Sequence, residues 1–417
     1  MMKKLLAALL LTALILSAAG CAASPAGQVP PPAAEETAAT PEPTPEPTPE
    51  PTPEPIREVE ILGRTVPTDA KEIDLSGITD ADAAEVAAKL ALLTAPKTLV
   101  IGSESDNPLS WESLKTLHDA APGAEIDYAF KLWKKDLNLK DEVLDLKHIR
   151  MEDEGEQVRQ ITACMTNLKT LDMDSCGVSN EAMAAIRDRF PNVEVVWRVL
   201  IGADYSTRTN ETRLVISNPD RGGNLDTPES IAGLYYCNKV KYLDMGHNYL
   251  MTNISFIENM PDLEVLIIAM TAIKDISPLA GCKNLNYLEY QTSAACDLSP
   301  LSELTNLKDL NICYNFALRD IRPIMNLDLD RLYIGCLSPV PREQIEQYKQ
   351  LHPNCIVNTT TEDPTEESWR YGDISGNGGW ETAPRYEQLR REMNYDDFPG
   401  CYAYRGNDPK EYNRFEY

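Results

Sequence analysis

Between residues 240 and 334 apolar side chains return at a fixed interval. The phrases Val240-x-x-Leu243-x-Met245, Leu263-x-x-Leu266-x-Ile268, Leu285-x-x-Leu288-x-Tyr290, Leu307-x-x-Leu310-x-Ile312 and Leu329-x-x-Leu332-x-Ile334 start 23, 22, 22 and 22 residues apart. Alternation around the second leucine predicts a short strand with one face turned to a core. Eight residues into the first four phrases stand Asn248, Thr271, Ser293 and Asn315, all small and polar. Ser277-Pro278-Leu279 and Ser299-Pro300-Leu301 repeat 22 apart, and Arg322-Pro323-Ile324 follows one residue out of step. A single repeat of this kind cannot bury its own apolar face, so the period predicts a solenoid whose neighbours share one continuous core.

A looser version of the pattern precedes it. Apolar pairs at Ile73/Leu75, Leu99/Ile101, Ile126/Tyr128, Leu144/Leu146 and Leu171/Met173 read as strands. Between the first two, Ala84, Val86, Leu90 and Leu93 have helical spacing within 80–94, behind an acidic capping candidate. The segments ending at Pro122, Pro191 and Pro353 echo one another: each closes an amphipathic helix and launches a strand, because proline cannot continue the helix. The third copy reads as the cap of the array. These patterns divide the folded part into irregular helix-containing repeats (57–200), a loop-rich insertion (201–232), regular repeats with a cap (233–358) and a tail (359–417). The tail is polar but holds Trp369, Tyr371, Trp380, Tyr386, Tyr395, Phe398, Tyr402, Tyr404, Tyr412, Phe415 and Tyr417. That is too much aromatic surface for a free coil, so partial docking on the repeats is expected.

The regular phrases resemble leucine-rich repeats, closest to the 22-residue type of internalin-like bacterial surface proteins. The resemblance implies an α/β arc with one parallel strand per repeat on a concave face and turns or short 3₁₀ segments behind. It also implies that Asn248 and Asn315 satisfy backbone groups of the turn, a task for which Thr271 and Ser293 offer fewer bonds. The clean match covers 233–358, about a third of the chain. The arrangement as a whole is similar to leucine-rich-repeat lipoproteins of Clostridia-type bacteria.

The first residues, Met1-Met2-Lys3-Lys4, lead into an apolar run from Leu5 to Leu16. Such a run is too short for a membrane span and reads as an export signal, 1–21. Ser17-Ala18-Ala19-Gly20-Cys21 resembles a bacterial lipobox, which implies cleavage before Cys21 and acylation of its sulfur; a secretory signal cut near Ala23 is the alternative. From 22 to 56 the chain is Pro, Ala, Glu and Thr, ending in Pro-Glu-Pro-Thr repeats. It has little to bury and little freedom in φ, so it reads as an extended spacer of roughly 100 Å at about 3.1 Å per residue. These readings predict a protein anchored on the cell membrane by lipid alone and facing the exterior.

The apolar share, 43%, is enough for a substantial core after residue 56. The net charge of −26 becomes −28 once Lys3 and Lys4 leave with the signal, which argues against nucleic acid and anionic lipid as partners. Of ten cysteines, Cys176, Cys237 and Cys282 fall at repeat positions that suit small core residues. Cys313 and Cys336 are the plausible bridge, and no C-x-x-C occurs.

Candidate chemistry is sparse. Four histidines, His118, His148, His247 and His352, show no metal-ligand spacing. An Asp244/His247/Cys313 grouping has nothing to orient a nucleophile and base. Asp373 to Gly378 imitates half a calcium loop, but Pro384 stands where its glutamate belongs. No catalytic residue, metal site or cofactor is predicted. The outward strand positions remain. Tyr242, Val265, Tyr287, Asp309 and Arg331 form one column, and Asp244, Ile267, Glu289, Asn311 and Tyr333 the next, with Asp172 and Trp197 extending the surface. The expected ligand-binding set is therefore Asp172, Trp197, Tyr242, Asp244, Tyr287, Glu289, Asp309 and Tyr333. The reading is a monomeric, non-catalytic binding protein for an extracellular protein or glycan; an envelope hydrolase and a purely structural envelope protein are the alternatives.

Overall fold

In a computed structural model the chain is described over residues 57–203, 205–217, 225–335, 337–372, 381–395 and 402–403. The readings at Cys21, the 22–56 spacer, the half calcium loop, the Cys313–Cys336 pair and the tail aromatics Trp380, Phe398, Tyr404, Tyr412, Phe415 and Tyr417 fall wholly or partly outside these residues.

Seven parallel strands stack in sequence order: Arg213–Val215, Tyr242–Asp244, Val265–Ile267, Tyr287–Glu289, Asp309–Asn311, Arg331–Tyr333 and Ile356–Asn358. Leu214, Leu243, Leu266, Leu288, Leu310 and Leu332 lie in register across them, and all six are wholly buried. This is a leucine-rich-repeat arc. Behind the strands run short 3₁₀ segments, Ser255–Asn259, Ser277–Gly281, Ser299–Leu301 and Arg322–Ile324. Each begins two residues after a side chain that accepts its first backbone N–H. Asn253 serves Ser255, Asp275 serves Ser277, Asp297 serves Ser299 and Asp320 serves Arg322, at 2.8–2.9 Å. The proline that follows in the last three has no N–H to leave unpaired, so the turn closes with its donors satisfied.

The polar position inside the arc is used as a backbone clamp. Asn248 Nδ2 donates to Met245 O and Ile216 O at 2.8 and 3.1 Å, and Asn315 Nδ2 to Tyr290 O and Ile312 O at 2.6 and 3.1 Å. Asn315 Oδ1 also accepts from Ser293 N and Ala295 N. Thr271 and Ser293 supply single hydroxyls to the same kind of carbonyl, and Cys176 puts its thiol on Leu146 O.

The irregular part carries a four-stranded sheet, Glu72–Asp74, Thr98–Ser103, Glu125–Leu132 and Lys135–Asn138, then a three-stranded one, Val143–Asp145, Thr170–Asp172 and Glu194–Val196. Helices Ala83–Leu90, Trp111–Ala120, Glu156–Thr162 and Asn180–Arg189 alternate with the strands. Ser110 and Ser179 cap two of them by accepting from Ser113 N and Ala182 N. The segment read as an insertion is more ordered than expected. Arg198–Ile201 and Tyr205–Arg208 form an antiparallel hairpin, and Arg213–Val215 is already the first strand of the regular sheet.

Trp197 needs a correction. Leu171 pairs with Val195 and Asp172 with Val196, so Trp197 continues the inward series, one position off the concave column. It is buried, and its Nε1 donates to Asn180 Oδ1 at 2.9 Å.

Candidate functional site: a pocket beneath the C-terminal segment

The outward columns coincide with the strand register, Tyr242–Val265–Tyr287–Asp309–Arg331 and Asp244–Ile267–Glu289–Asn311–Tyr333. Their expected exposure is not what the structure shows. Asp172, Asp244, Tyr287, Glu289, Asp309 and Tyr333 are all buried, and only Tyr242 of the expected set keeps partial exposure. The reason is a cover supplied by the chain itself. After the last strand the C-terminal segment turns back across the concave face. Trp369 and the helix Pro384–Met393 then form a second apolar core with Val265, Ile267, Tyr287 and Tyr333. Trp369 is wholly buried, with ring centroids 4.9 Å from Tyr333 and 5.3 Å from Tyr287. Further on, Tyr402–Ala403 adds an edge strand to the Arg198–Arg208 hairpin. That hairpin in turn covers Asp172 and Asp174 with Arg208 and Arg198.

The acids of the columns hold this cover. Glu289 accepts from Arg370 Nε at 2.9 Å and from Trp369 Nε1 at 2.8 Å, and also from Arg370 Nη2 and the Tyr287 hydroxyl. Burial pushes its pKa up, but Arg370 and the converging donors outweigh burial and hold the carboxyl below its ordinary value. Asp309 takes Arg331 Nε at 2.5 Å and Arg385 Nε at 3.2 Å. Arg331 also donates to the carbonyls of Ser368 and Trp369. Tyr333 donates to Glu367 O and Asn311 to Pro364 O. Charges taken this far from water persist only when paired and hydrogen-bonded; Glu289–Arg370 and Asp309–Arg385 each join a repeat to the cover, while Asp309–Arg331 pairs two neighbouring strands.

Among the described residues the cover leaves one edge of the concave face open. A pocket of about 920 Å³ lies there, within the size range of small-ligand sites. Its floor includes Asp244, Ile267, Ala269 and Gln291; its roof includes Arg370, Tyr371, Tyr386, Arg390 and Tyr395. The rim comes from the turn after each strand, where His247, Met270, Thr292 and Tyr314 adopt left-handed φ of 63°, 58°, 50° and 56°. Three of these carry the ladder one step past the strands: His247 N donates to Ala269 O, Met270 N to Gln291 O and Thr292 N to Cys313 O. A non-glycine residue held left-handed costs roughly 1–2 kcal/mol. Repeating it in four successive turns swings four side chains toward the pocket mouth. Just outside the rim, Tyr249 and Phe316 occupy the position after Asn248 and Asn315, while Ala272 and Ala294 occupy it between them. Both rings are exposed, and Phe316 also lines the pocket.

Asp244 sits at the back of the pocket. Tyr395 donates to its Oδ2 at 2.6 Å and Gly246 N to its Oδ1 at 2.9 Å. Burial raises its pKa by more than these bonds lower it, and burial with the Asp244 charge lifts the Tyr395 hydroxyl well above the usual tyrosine value. His247 Nδ1 pairs with the Tyr249 hydroxyl at 3.2 Å. Asp244 and His247 are therefore directed to separate partners, and no nucleophile-activating relay is assembled between them. Burial pushes the thiols of Cys164 and Cys237 up to about 12, and those of Cys176 and Cys282 to about 11, so these are packing groups rather than nucleophiles.

Sequence reasoning missed Gln291, Arg370 and Arg390. The first lies two residues past a strand, and the others lie on a tail whose docking partners are tens of residues away.

No family model and no curated protein matches the chain. Among solved structures, the chain is similar to an internalin C2 of Listeria monocytogenes, at 20% identity over 54% of this chain and 86% of that one, with a TM-score of 0.30. A second Listeria monocytogenes internalin gives 17% identity over 72% and 84%, TM-score 0.29. A leucine-rich-repeat protein of Leptospira interrogans gives 16% over 65% and 74%, TM-score 0.28.

Proposed function

We propose that this chain is a non-catalytic recognition module, held at the cell surface by a lipid on Cys21, that takes an extracellular protein or polysaccharide on its concave side. The observation that carries the reading is the pocket beneath the C-terminal segment, where aromatic rings and polar groups from four repeats and the cover converge on one opening. Aromatic surface ringed by polar groups is where binding energy concentrates. The binding residues differ from those first expected. Asp244 stays with the site; Tyr287, Glu289, Asp309 and Tyr333 hold the cover, and Asp172 and Trp197 lie elsewhere. Because the opening is a pocket, the ligand enters as a small molecule or as a protruding part of a larger one.

The test is retention of the purified protein on immobilised cell-wall polysaccharides and extracellular matrix proteins. Tyr314→Ala with Phe316→Ala should lower retention at least roughly tenfold, about 1.4 kcal/mol, while Lys283→Ala, exposed and away from the pocket, leaves it unchanged. Equal retention of all three proteins would contradict the assignment.

A further inference from the structure

The pocket's own chemistry narrows the ligand further than the fold does. Gln291 is only 4% exposed, lines the floor, and its Oε1 has no hydrogen-bond partner among the described residues. A buried acceptor left in this condition is unfavourable relative to a paired one, so the site is built to receive an N–H or O–H at that point. Around it the charges are balanced by wall. Asp244 and Asp363 stand with Arg370 and Arg390 in the same lining, and Arg370 is already committed to Glu289. A ligand with net charge of either sign meets a like charge inside, and an anion also meets the field of a chain whose formal charge is −26. A neutral group that both donates and accepts meets complementary partners throughout. The rings of Tyr314 and Tyr371, both partly exposed, supply apolar contact beside these polar atoms.

A neutral peptide also donates and accepts, and one direct way to read its backbone is an open strand edge. Every strand from Tyr242–Asp244 to Arg331–Tyr333 is paired on both sides, so the floor offers side chains and no edge. We propose that the pocket takes a neutral, hydroxyl-rich saccharide of about one to three rings, packed between the Tyr314 and Tyr371 rings with a hydroxyl donating to Gln291 Oε1. This deepens the proposed binding role and rests on it.

The full chain is titrated calorimetrically with a panel of probes: chitotriose, maltotriose and cellotriose as neutral saccharides, trigalacturonate as an anion, trilysine as a cation and trialanine amide as a peptide. At least one neutral trisaccharide should bind with a Kd below about 1 mM, at least tenfold tighter than the charged and peptide probes. Gln291→Leu should weaken that binding at least tenfold. Because Gln291 is buried, a second variant guards against a folding defect: Thr292→Trp, at an exposed rim position, should block the mouth and abolish binding with an unchanged melting temperature. Binding of the peptide or a charged probe alone would overturn the saccharide proposal and leave the recognition reading standing. Saccharide binding indifferent to both variants would place the sugar elsewhere and overturn it too. No binding by any probe, together with no retention on the polymers and proteins above, would sink both.

Discussion

Glu289 has no exposed surface, yet it is held in its charged form by Arg370, and the pair joins a repeat to a residue 81 positions later. Removing one partner strands the other. Arg370→Ala should cost about 3 kcal/mol, the lower end for a broken buried pair because Arg370 keeps some solvent contact. Glu289→Leu combined with Arg370→Met should recover most of that loss in urea unfolding. A double variant as unstable as the single one would show that the pair does more than neutralise itself. Asp244 works with the opposite sign. Its folded pKa lies above the ordinary 3.8, so the fold prefers the protonated form. Its contribution is fully favourable below 3.8, falls as pH rises from there toward the folded value, and stays reduced beyond. Asp244→Asn keeps an acceptor for Tyr395 and removes the titration. The variant should therefore gain stability relative to the parent as pH rises above 3.8. A difference independent of pH between about 3 and 7 would show that folding leaves the Asp244 pKa at its ordinary value. Which side chains face outward was readable from alternation and period, since strand positions two apart share a face. Trp197 escaped because Val195, Val196 and Trp197 are all apolar, and an unbroken apolar run gives no sign of which residue faces in. Burial of the outward columns was not readable, because it depends on contacts made from residues 362–372 and 381–395.

At the scale of elements, the regular strands are only three residues long, too short to stand alone. They persist because each leucine packs between its neighbours in the ladder. Leu288→Ala should cost about 2–5 kcal/mol and should loosen both adjacent repeats, since a solenoid is stabilised through its nearest-neighbour interfaces. An unfolding midpoint unchanged within error would mean that Leu288 is not in the ladder. The 3₁₀ segments were legible as Ser-Pro-Leu, but their acidic starters at Asp275, Asp297 and Asp320 went unread, although they too recur at about the same interval. The helices before Pro122, Pro191 and Pro353 were legible because a proline stop leaves a local mark. The Arg198–Arg208 hairpin left none: its strands are four residues each, the second is polar, and the turn between them lacks a strong Asn-Gly signal.

At the scale of the molecule, the C-terminal segment decides what the arc can do. Its aromatic excess announced docking, but not that docking would close the concave face and leave a pocket at one edge. Anchoring belongs to this scale as well. If Cys21 carries the lipid, Cys21→Ser should move the protein from the membrane fraction to the medium; parent protein already free in the medium with an unmodified N-terminus would end that proposal. The central claim is that the cover is part of the native fold. Hydrogen exchange with mass spectrometry tests it most directly, because amides in a cooperative unit exchange only when that unit opens. The account predicts that amides of Pro384–Met393 exchange as slowly as those of the Tyr242–Tyr333 strands and lose protection together with them in Trp369→Ala. Exchange of Pro384–Met393 at the rate of an unstructured peptide, with the strands still protected, would contradict it.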